Sequence, residues 1–351
     1  MRCEITRKLA TIRRVKGIHP IPNADKIEVA EVDGWEVVVK KGDFVAGDLG
    51  VYFEIDSFLP IRSEFEFLRA SSFKVDAMGK EGFRLKTIKL RGQVSQGLLL
   101  PLATLNLQGL DVAPNVARGY DLTDHLGVTL YEPPIPASLN GEVVGPVPTF
   151  IHKTDQERVQ NIDLEKYKGL YEVTEKIDGT SATFYFNDGK FGVCGRNWEY
   201  KPTADNIYWK IAKQFDLERK MVEKGLNVAI QGEIFGEGIN GNPLKIKGQR
   251  LLVFDAWDIG KSRYLFYKER GVLIRGLGLE MVPVVFFKNI IDCIEPAWGT
   301  LTVVMDVLPL ANGSSKINPG ARREGLVFKH VSVPNTSFKV VSNEYLLKTD
   351  S

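Results

Sequence analysis

Short alternating runs of apolar and polar residues, interrupted by glycine and proline, fill the first third of this 351-residue chain. Residues 9–15 alternate, His19-Pro20-Ile21-Pro22-Asn23-Ala24-Asp25 forms a turn cluster, and residues 26–32 alternate again. Asp33-Gly34 is a hairpin signal ahead of Trp35-Glu36-Val37-Val38-Val39, and glycine turns at 41–43 and 46–48 precede a further run at 49–55. Strands this short, at this spacing, predict a small β-barrel. The pattern then changes. Glu132-Pro133-Pro134-Ile135-Pro136 and Gly145-Pro146-Val147-Pro148 predict an extended connector over 132–148, separating a domain at 1–131 from one at 149–351.

The second domain mixes two periods. Leu170-Tyr171-Glu172-Val173-Thr174 reads as a strand, and residues 181–186 alternate, turn at Asn187-Asp188-Gly189 and return as Phe191-Gly192-Val193-Cys194. Ile207, Ile211, Phe215 and Met221-Val222 fall at roughly helical spacing, with a start at Thr203-Ala204-Asp205 and a stop at Gly225. Two more amphipathic helices are expected over 262–276 and 303–311. With strands at 252–258, 324–329 and 337–341, the expectation is an α+β chain whose second domain has antiparallel sheets flanked by helices.

Composition narrows the class without naming a function. At 44% hydrophobic and 26% charged residues, the chain is an ordinary globular one, long enough for two cores. No apolar run reaches the length of a membrane span, and Met1-Arg2-Cys3-Glu4 opens no signal peptide. Cys3, Cys194 and Cys293 are odd in number and far apart, which argues against a disulfide framework or a zinc site and for a reducing, cytoplasmic compartment. The net charge of +2 requires any nucleic-acid footprint to be local. Arg84, Lys86, Lys89 and Arg91 alternate, so some share a strand face suited to phosphates; a solvated edge is the alternative.

The chemistry concentrates at Glu175-Lys176-Ile177-Asp178-Gly179-Thr180. Lys176 ends a core-type strand, before an Asp-Gly turn that opens a hairpin, a poor place for a solvated charge. Desolvation or a nearby cation turns a lysine into a nitrogen nucleophile, and Asp178 is spaced to hold a metal or its water beside it. Taken alone, Lys-x-Asp-Gly also fits a lysine ion-paired within a hairpin. Further along the chain stand, in order, Gly195-Arg196-Asn197, Gln231-Gly232-Glu233-Ile234-Phe235-Gly236, Leu252-Val253-Phe254-Asp255-Ala256-Trp257-Asp258, Glu324-Gly325-Leu326-Val327-Phe328-Lys329 and Ser337-Phe338-Lys339-Val340-Val341. This series resembles motifs I, Ia, III, IIIa, IV and V of the covalent nucleotidyltransferase superfamily of polynucleotide ligases and messenger-RNA capping enzymes.

The first domain resembles OB folds that bind tRNA, through His19-Pro20, Asn23-Ala24-Asp25-Lys26, Gly47-Asp48, Ile55-Asp56-Ser57-Phe58-Leu59-Pro60 and the segment 89–101. About a dozen residues follow Lys339, so the C-terminal OB domain of capping enzymes and most DNA ligases is not expected. An OB domain ahead of a minimal nucleotidyltransferase core resembles the RNA ligase family typified by enzymes of Deinococcus radiodurans and Naegleria (family five).

That resemblance implies ATP and Mg²⁺ or Mn²⁺. It implies a monomer acting on nicked duplex RNA or RNA/DNA with 3′-hydroxyl and 5′-phosphate ends, RNA lying on the 3′-hydroxyl side. Lys176 would attack the α-phosphate to give lysyl-AMP, AMP would pass to the 5′-phosphate, and the 3′-hydroxyl would displace it. By the same resemblance Glu175 reads the adenine amino group, Phe254 stacks on adenine, and Lys329 and Lys339 face phosphate. Arg196 takes a ribose or the 5′-phosphate, and Asp178, Glu233 and Glu324 hold the metal or its water, with Glu233 alternatively bonding the ribose. Lys86, Lys89 and Arg91 are the nucleic-acid candidates of the first domain. One departure stands: many relatives carry two alternating lysines in the last motif, whereas Val341 follows Lys339 here. The competing readings are an RNA-binding or tRNA-binding protein with a vestigial nucleotidyltransferase domain, and a DNA ligase.

Overall fold

The computed structural model describes residues 7–105, 107, 119–134, 141–290 and 307–346. The chain folds as two compact units, one comprising Met1–Pro136 with Leu346–Ser351 and the other Ala137–Tyr345. Among the described residues, no helix is long and apolar enough to cross a membrane.

The first unit is built from β1 (Ala10–Arg14), β2 (Gly17–Pro20), β3 (Ile27–Val32), β4 (Trp35–Lys40), β5 (Leu49–Phe53) and β6 (Ser57–Pro60). A short helix, α1 (Arg69–Ser72), precedes β7 (Phe73–Val75), β8 (Glu81–Arg84), β9 (Thr87–Leu90), β10 (Gln93–Gln96), β11 (Leu98–Pro101) and β12 (Thr129–Leu130). The strands form small sheets ordered β1-β5-β11, β2-β3-β4 and β12-β6-β8-β7, with β9-β10 as a separate hairpin. The expected alternation is literal in β4: Trp35, Val37 and Val39 are buried while Glu36 and Val38 are half-buried. Asp33 and Gly34 both take positive φ (52° and 86°), the two-residue turn whose twist matches the strands it joins.

The basic run at 84–91 does not form the strand face expected of it. Leu85 enters the core, and β8 ends at Arg84 while β9 begins only at Thr87, so the run spans two strands and the break between them. Arg84 pairs with Asp56 at 2.7 Å and covers the Tyr131 ring at 4.7 Å. Lys86 lies between strands, Lys89 lies on β9, and Arg91 occupies the positive-φ turn into β10.

The second unit adds β13 (Val143–Pro146), β14 (Glu157–Arg158), β15 (Leu170–Lys176), β16 (Thr180–Asn187), β17 (Lys190–Cys194) and β18 (Trp198–Tyr200). After helices α2 (Ile207–Gln214) and α3 (Leu217–Glu223) come β19 (Val228–Gly236), β20 (Gln249–Asp258), β21 (Arg263–Tyr264) and α4 (Tyr267–Gly276). β22 (Val284–Asn289), β23 (Gly325–His330), β24 (Ser337–Val341) and α5 (Asn343–Leu346) complete it. A seven-stranded antiparallel sheet runs β13-β18-β17-β16-β19-β20-β21, and a five-stranded sheet runs β14-β24-β23-β15-β22. The first buries Phe184, Val193, Ile230 and Val253 against Ile211, Leu217, Met221 and Ile274 of the helices. The second is filled by Tyr171, Val173, Phe328 and Phe338, whose rings at 328 and 338 stack at 4.7 Å. Each such buried side chain contributes roughly 1.5–3 kcal/mol.

Several local expectations shift. β13 lies within the stretch expected to be a connector: Val143 and Val144 favour extended backbone, and Pro146 is tolerated because β13 is a sheet edge. Residues 135–140 of that stretch lie outside the described residues. The helix expected from 203 is two helices. Asn206 caps α2 by accepting from the N–H groups of Tyr208 and Trp209, and Asp216 at φ 52° breaks the chain before α3. α4 starts at Tyr267 rather than 262 because Arg263 and Tyr264 pair with β20. Of the helix expected at 303–311, Leu308–Ala311 forms a 3₁₀ turn and 303–306 lie outside the described residues.

Candidate active site

Lys176 is the last residue of β15, but the strand after it does not fold back on β15 as a hairpin. β15 belongs to the five-stranded sheet and β16 to the seven-stranded one, so Ile177-Asp178-Gly179 crosses between sheets. A Cβ at Gly179 would sit 2.3 Å from the Ile234 carbonyl oxygen, so the crossing is possible only with glycine there. The seam holds a cavity of about 280 Å³. Glu175, Lys176, Asp178, Arg196, Glu233, Phe254, Glu324, Lys329 and Lys339 all line it. Nine residues expected to share a site therefore do so, while Lys86, Lys89 and Arg91 belong to the first unit.

The centre of the cavity is anionic. The Lys176 ammonium donates to the Glu324 carboxylate at 2.7 Å. Burial disfavours that charge, but Glu324, then Glu233 and Asp178, outweigh burial and hold the lysine above its usual pKa. Glu233 feels the reverse. Burial pushes its carboxyl up to about 8, aided by Glu324 and Asp178 and opposed by Lys176 and Arg196. Three acids face one ammonium, and Glu233 is the acid left short of positive charge. Asp178 is fixed from both sides: Asn240 donates to Oδ1 at 2.9 Å and the Tyr345 hydroxyl to Oδ2 at 2.7 Å. Among the described residues no three carboxylate, histidine or cysteine groups are close enough to form a direct metal-ligand set.

The cavity is also lined by Phe254 and Glu175. β20 carries a bulge against β19: Gln231 pairs with Asp255 and Gly232 with Val253, leaving Phe254 without a cross-strand partner. Such an extra residue re-aims side chains, and here the Phe254 ring lines the cavity while Asp255 turns into the interior. Glu175 is 1% exposed. Its Oε2 accepts the backbone N–H of Lys316 at 2.7 Å, while its Oε1 has no partner among the described residues. Burial raises its pKa, and hydrogen bonds from Ser315 and Lys316 pull it back.

Lys329 departs from expectation. Its ammonium is already engaged: it pairs with Asp255 at 2.5 Å, bonds the Phe254 carbonyl and lies 5.5 Å from the Phe254 ring centre. Burial lowers its pKa against the pull of Asp255. Asp255 is shared with Arg270, which also pairs with Glu172, so four buried charges link both sheets and α4. The physical reason is balance: Asp255 buried beside an apolar strand needs a cation, and Lys329 is within reach. Lys339 and Arg196 both approach Asp155, at 3.4 and 3.9 Å, on the cavity wall.

Reading the chain missed Asn240, Tyr345, Asp155, Arg270 and the pairing role of Asp255. Asp255 and Glu172 offered a signal, since each is a charge at a core position of an apolar strand. Nothing local marked Asn240 or Tyr345, which reach Asp178 across 62 and 167 positions.

An OB-fold domain profile matches residues 9–102, and an RNA ligase profile matches residues 169–341. No curated protein sequence matches the chain. Among solved structures, a Naegleria gruberi RNA ligase mutant with AMP and Mn is 43% identical, covering 97% of this chain and 99% of that one, with a TM-score of 0.78. A second mutant of that ligase, with ATP and Mn, has the same identity and coverage and a TM-score of 0.77. The same ligase with PPi gives 0.75 at 43% identity, covering 98% and 99% of the two chains. With similarity of that level along nearly the whole of both chains, and a cavity that gathers the residues of five separate motifs around one lysine, this chain belongs to the RNA ligase family.

Proposed function

We propose that the chain uses ATP and Mg²⁺ or Mn²⁺ to join a 3′-hydroxyl to a 5′-phosphate at a nick, with RNA on the hydroxyl side, through an AMP adduct on Lys176. The observation that carries this is Lys176 itself, a lysine at the seam of two sheets, ringed by Glu324, Glu233 and Asp178. Relatives holding ATP, AMP, PPi and Mn support the choice of nucleotide and metal.

Lys176 is an ammonium as it stands and cannot attack. Its three acids keep it protonated, so nucleophilicity depends on their charge being taken up elsewhere. Asp178, Glu233 and Glu324 would hold a divalent cation through its waters, and such a cation supplies positive charge to the acids and to phosphate oxygens. The lysine then loses a proton to solvent, its Nζ forms a bond to the α-phosphorus, and the bond to pyrophosphate breaks. A 5′-phosphate oxygen next displaces the lysine, which regains its proton. Finally the 3′-hydroxyl attacks that 5′-phosphate and AMP leaves. Arg196 and Lys339 are the cations placed on the wall to stabilise phosphate charge, which is most of what such transfers require of a protein. Lys329 acts instead through Asp255 and Phe254, holding the ring that stacks on the base.

The Glu175 Oε1, buried and short of a donor, suits the amino group of adenine. Guanine presents an acceptor at that position. Labelling of the protein with α-labelled GTP is therefore expected to fall roughly 100-fold or more below labelling with ATP. Equal labelling would remove Glu175 from base recognition.

The pH dependence of metal binding follows from Glu233. A carboxyl raised to about 8 stabilises the fold while protonated, and that contribution is lost as pH rises through about 8. Cation binding has the opposite sign, because a cation must displace the proton. Mn²⁺ affinity of the 351-residue chain, read by calorimetry, should climb by up to about tenfold per unit below pH ~8 and then level off. Glu233→Gln should flatten the climb, and a flat profile in the unaltered protein would contradict the assignment.

In the first unit, Lys86, Lys89 and Arg91 remain as contacts for the duplex backbone. Arg84 is withdrawn, since Asp56 and Tyr131 already occupy it.

A further inference from the structure

The connection from β19 to β20, residues 237–248, is built more rigidly than a surface loop requires. Asn242 brackets Ile246, donating to its carbonyl at 2.8 Å and accepting its N–H at 3.2 Å. Leu244 is buried, its carbonyl accepts from Asn318 at 2.9 Å, and Ile246 packs on the small core that holds Ile177. At its near end Asn240 donates to Asp178 and to the Gly179 carbonyl, at 2.9 and 2.7 Å. The segment is thus pinned to the residues just after Lys176.

Its backbone carries one telling irregularity. Gly238, Asn240, Gly241, Asn242 and Gly248 take positive φ, and glycine and asparagine do so at little cost. Lys245 does so as well, at φ 52°, where glycine or asparagine would serve the backbone better. Lys245 and Lys247 flank the anchored Ile246, are both exposed, and make no ion pair among the described residues. The neighbouring arginines are spent, Arg250 on Glu280 and Arg322 on Glu344. Neither lysine lines the cavity, whose wall carries Arg196 and Lys339 instead.

We propose that residues 237–248 form a nucleic-acid strap, with Lys245 and Lys247 gripping backbone phosphates of the strand beside the joint. This rests on the strand-joining reading above. Phosphates outside the cavity belong to a ligand longer than a nucleotide, which favours the polymer over ATP. Lys245 is five positions from Asn240, at most ~18 Å even if fully extended. The gripped phosphates therefore lie within about five nucleotides of the reacting end.

The test uses the full chain carrying Lys245→Asn and Lys247→Gln. Asparagine tolerates the left-handed backbone, so the variant should melt no lower than the unaltered protein. Binding to a fluorescent nicked RNA duplex is followed by anisotropy across a salt series. The slope of log K against log salt should fall by about 1.8, so that raising salt fourfold costs the variant about tenfold less affinity. Labelling of Lys176 by ATP should be unchanged. An unchanged slope with unaltered affinity would overturn the proposal. A raised KM for ATP with the slope intact would also overturn it, by assigning the lysines to the cofactor. Absence of labelling in the unaltered protein would count against strand joining, whereas the salt slope reads the strap by itself.

Discussion

Lys176→Ala is expected to abolish transfer of label from ATP to the protein and joining of an ordinary 5′-phosphate nick, both by more than roughly a thousandfold, the scale of losing a covalent nucleophile. Joining of a nick already carrying AMP on its 5′-phosphate should remain measurable, because that step has no role for the amine. Removing the ammonium also leaves Glu324, Glu233 and Asp178 facing one another without it, so Lys176→Arg is the companion variant. Arginine keeps the charge beside Glu324 but stays protonated and does not attack. It should match alanine in labelling and exceed it in joining the pre-activated nick. Full labelling of either variant would place the nucleophile on another residue.

The second large effect is on stability. Arg270 is 4% exposed and bridges Glu172 and Asp255, which are also buried. Arg270→Leu leaves Glu172 as a buried carboxylate without its ion-pair partner, a change that costs about 3–5 kcal/mol when one partner of a buried pair is removed. In a unit of this size that lowers the melting temperature by roughly 6–20 °C. Replacing Glu172 by leucine in the same protein should recover most of the loss, since an apolar pair at such a site is often as stable as the ionic one. A single variant that melts within a degree or two of the unaltered protein would show that the network carries little of the fold.

Much of the site was legible because its residues fall, in order, in stretches that resemble the motifs of the nucleotidyltransferase superfamily. Lys176, at the end of a core strand, and Glu233, a carboxylate between glycines, also stood out locally, whereas Glu324 was marked by the resemblance alone. The order of the strands around them could not be read the same way. Asp178-Gly179 looks alike whether the chain turns back or crosses to another sheet, and the difference is made by Ile234 and Phe235, more than fifty positions on. Phe254 was read as a base-stacking candidate from its motif, but it sits at a bulge opposite Gln231 and Gly232 of the neighbouring strand, which the sequence does not show. Lys329 was read as a phosphate contact because nothing near it in sequence shows that Asp255 will claim it. The strip from Arg84 to Arg91 was hard to read for a simpler reason: it runs across the end of β8, the break at Leu85-Lys86, β9 and the turn at Arg91, so no single strand carries it.

The central claim is that one lysine carries the nucleotide. Incubating the 351-residue chain with ATP and Mg²⁺, removing free nucleotide, and mapping the adduct by mass spectrometry after proteolysis tests it most directly. The account predicts a single AMP, on the peptide containing Lys176, released when pyrophosphate is added back. An adduct on Lys329 or Lys339, or no adduct with either Mg²⁺ or Mn²⁺, would contradict it.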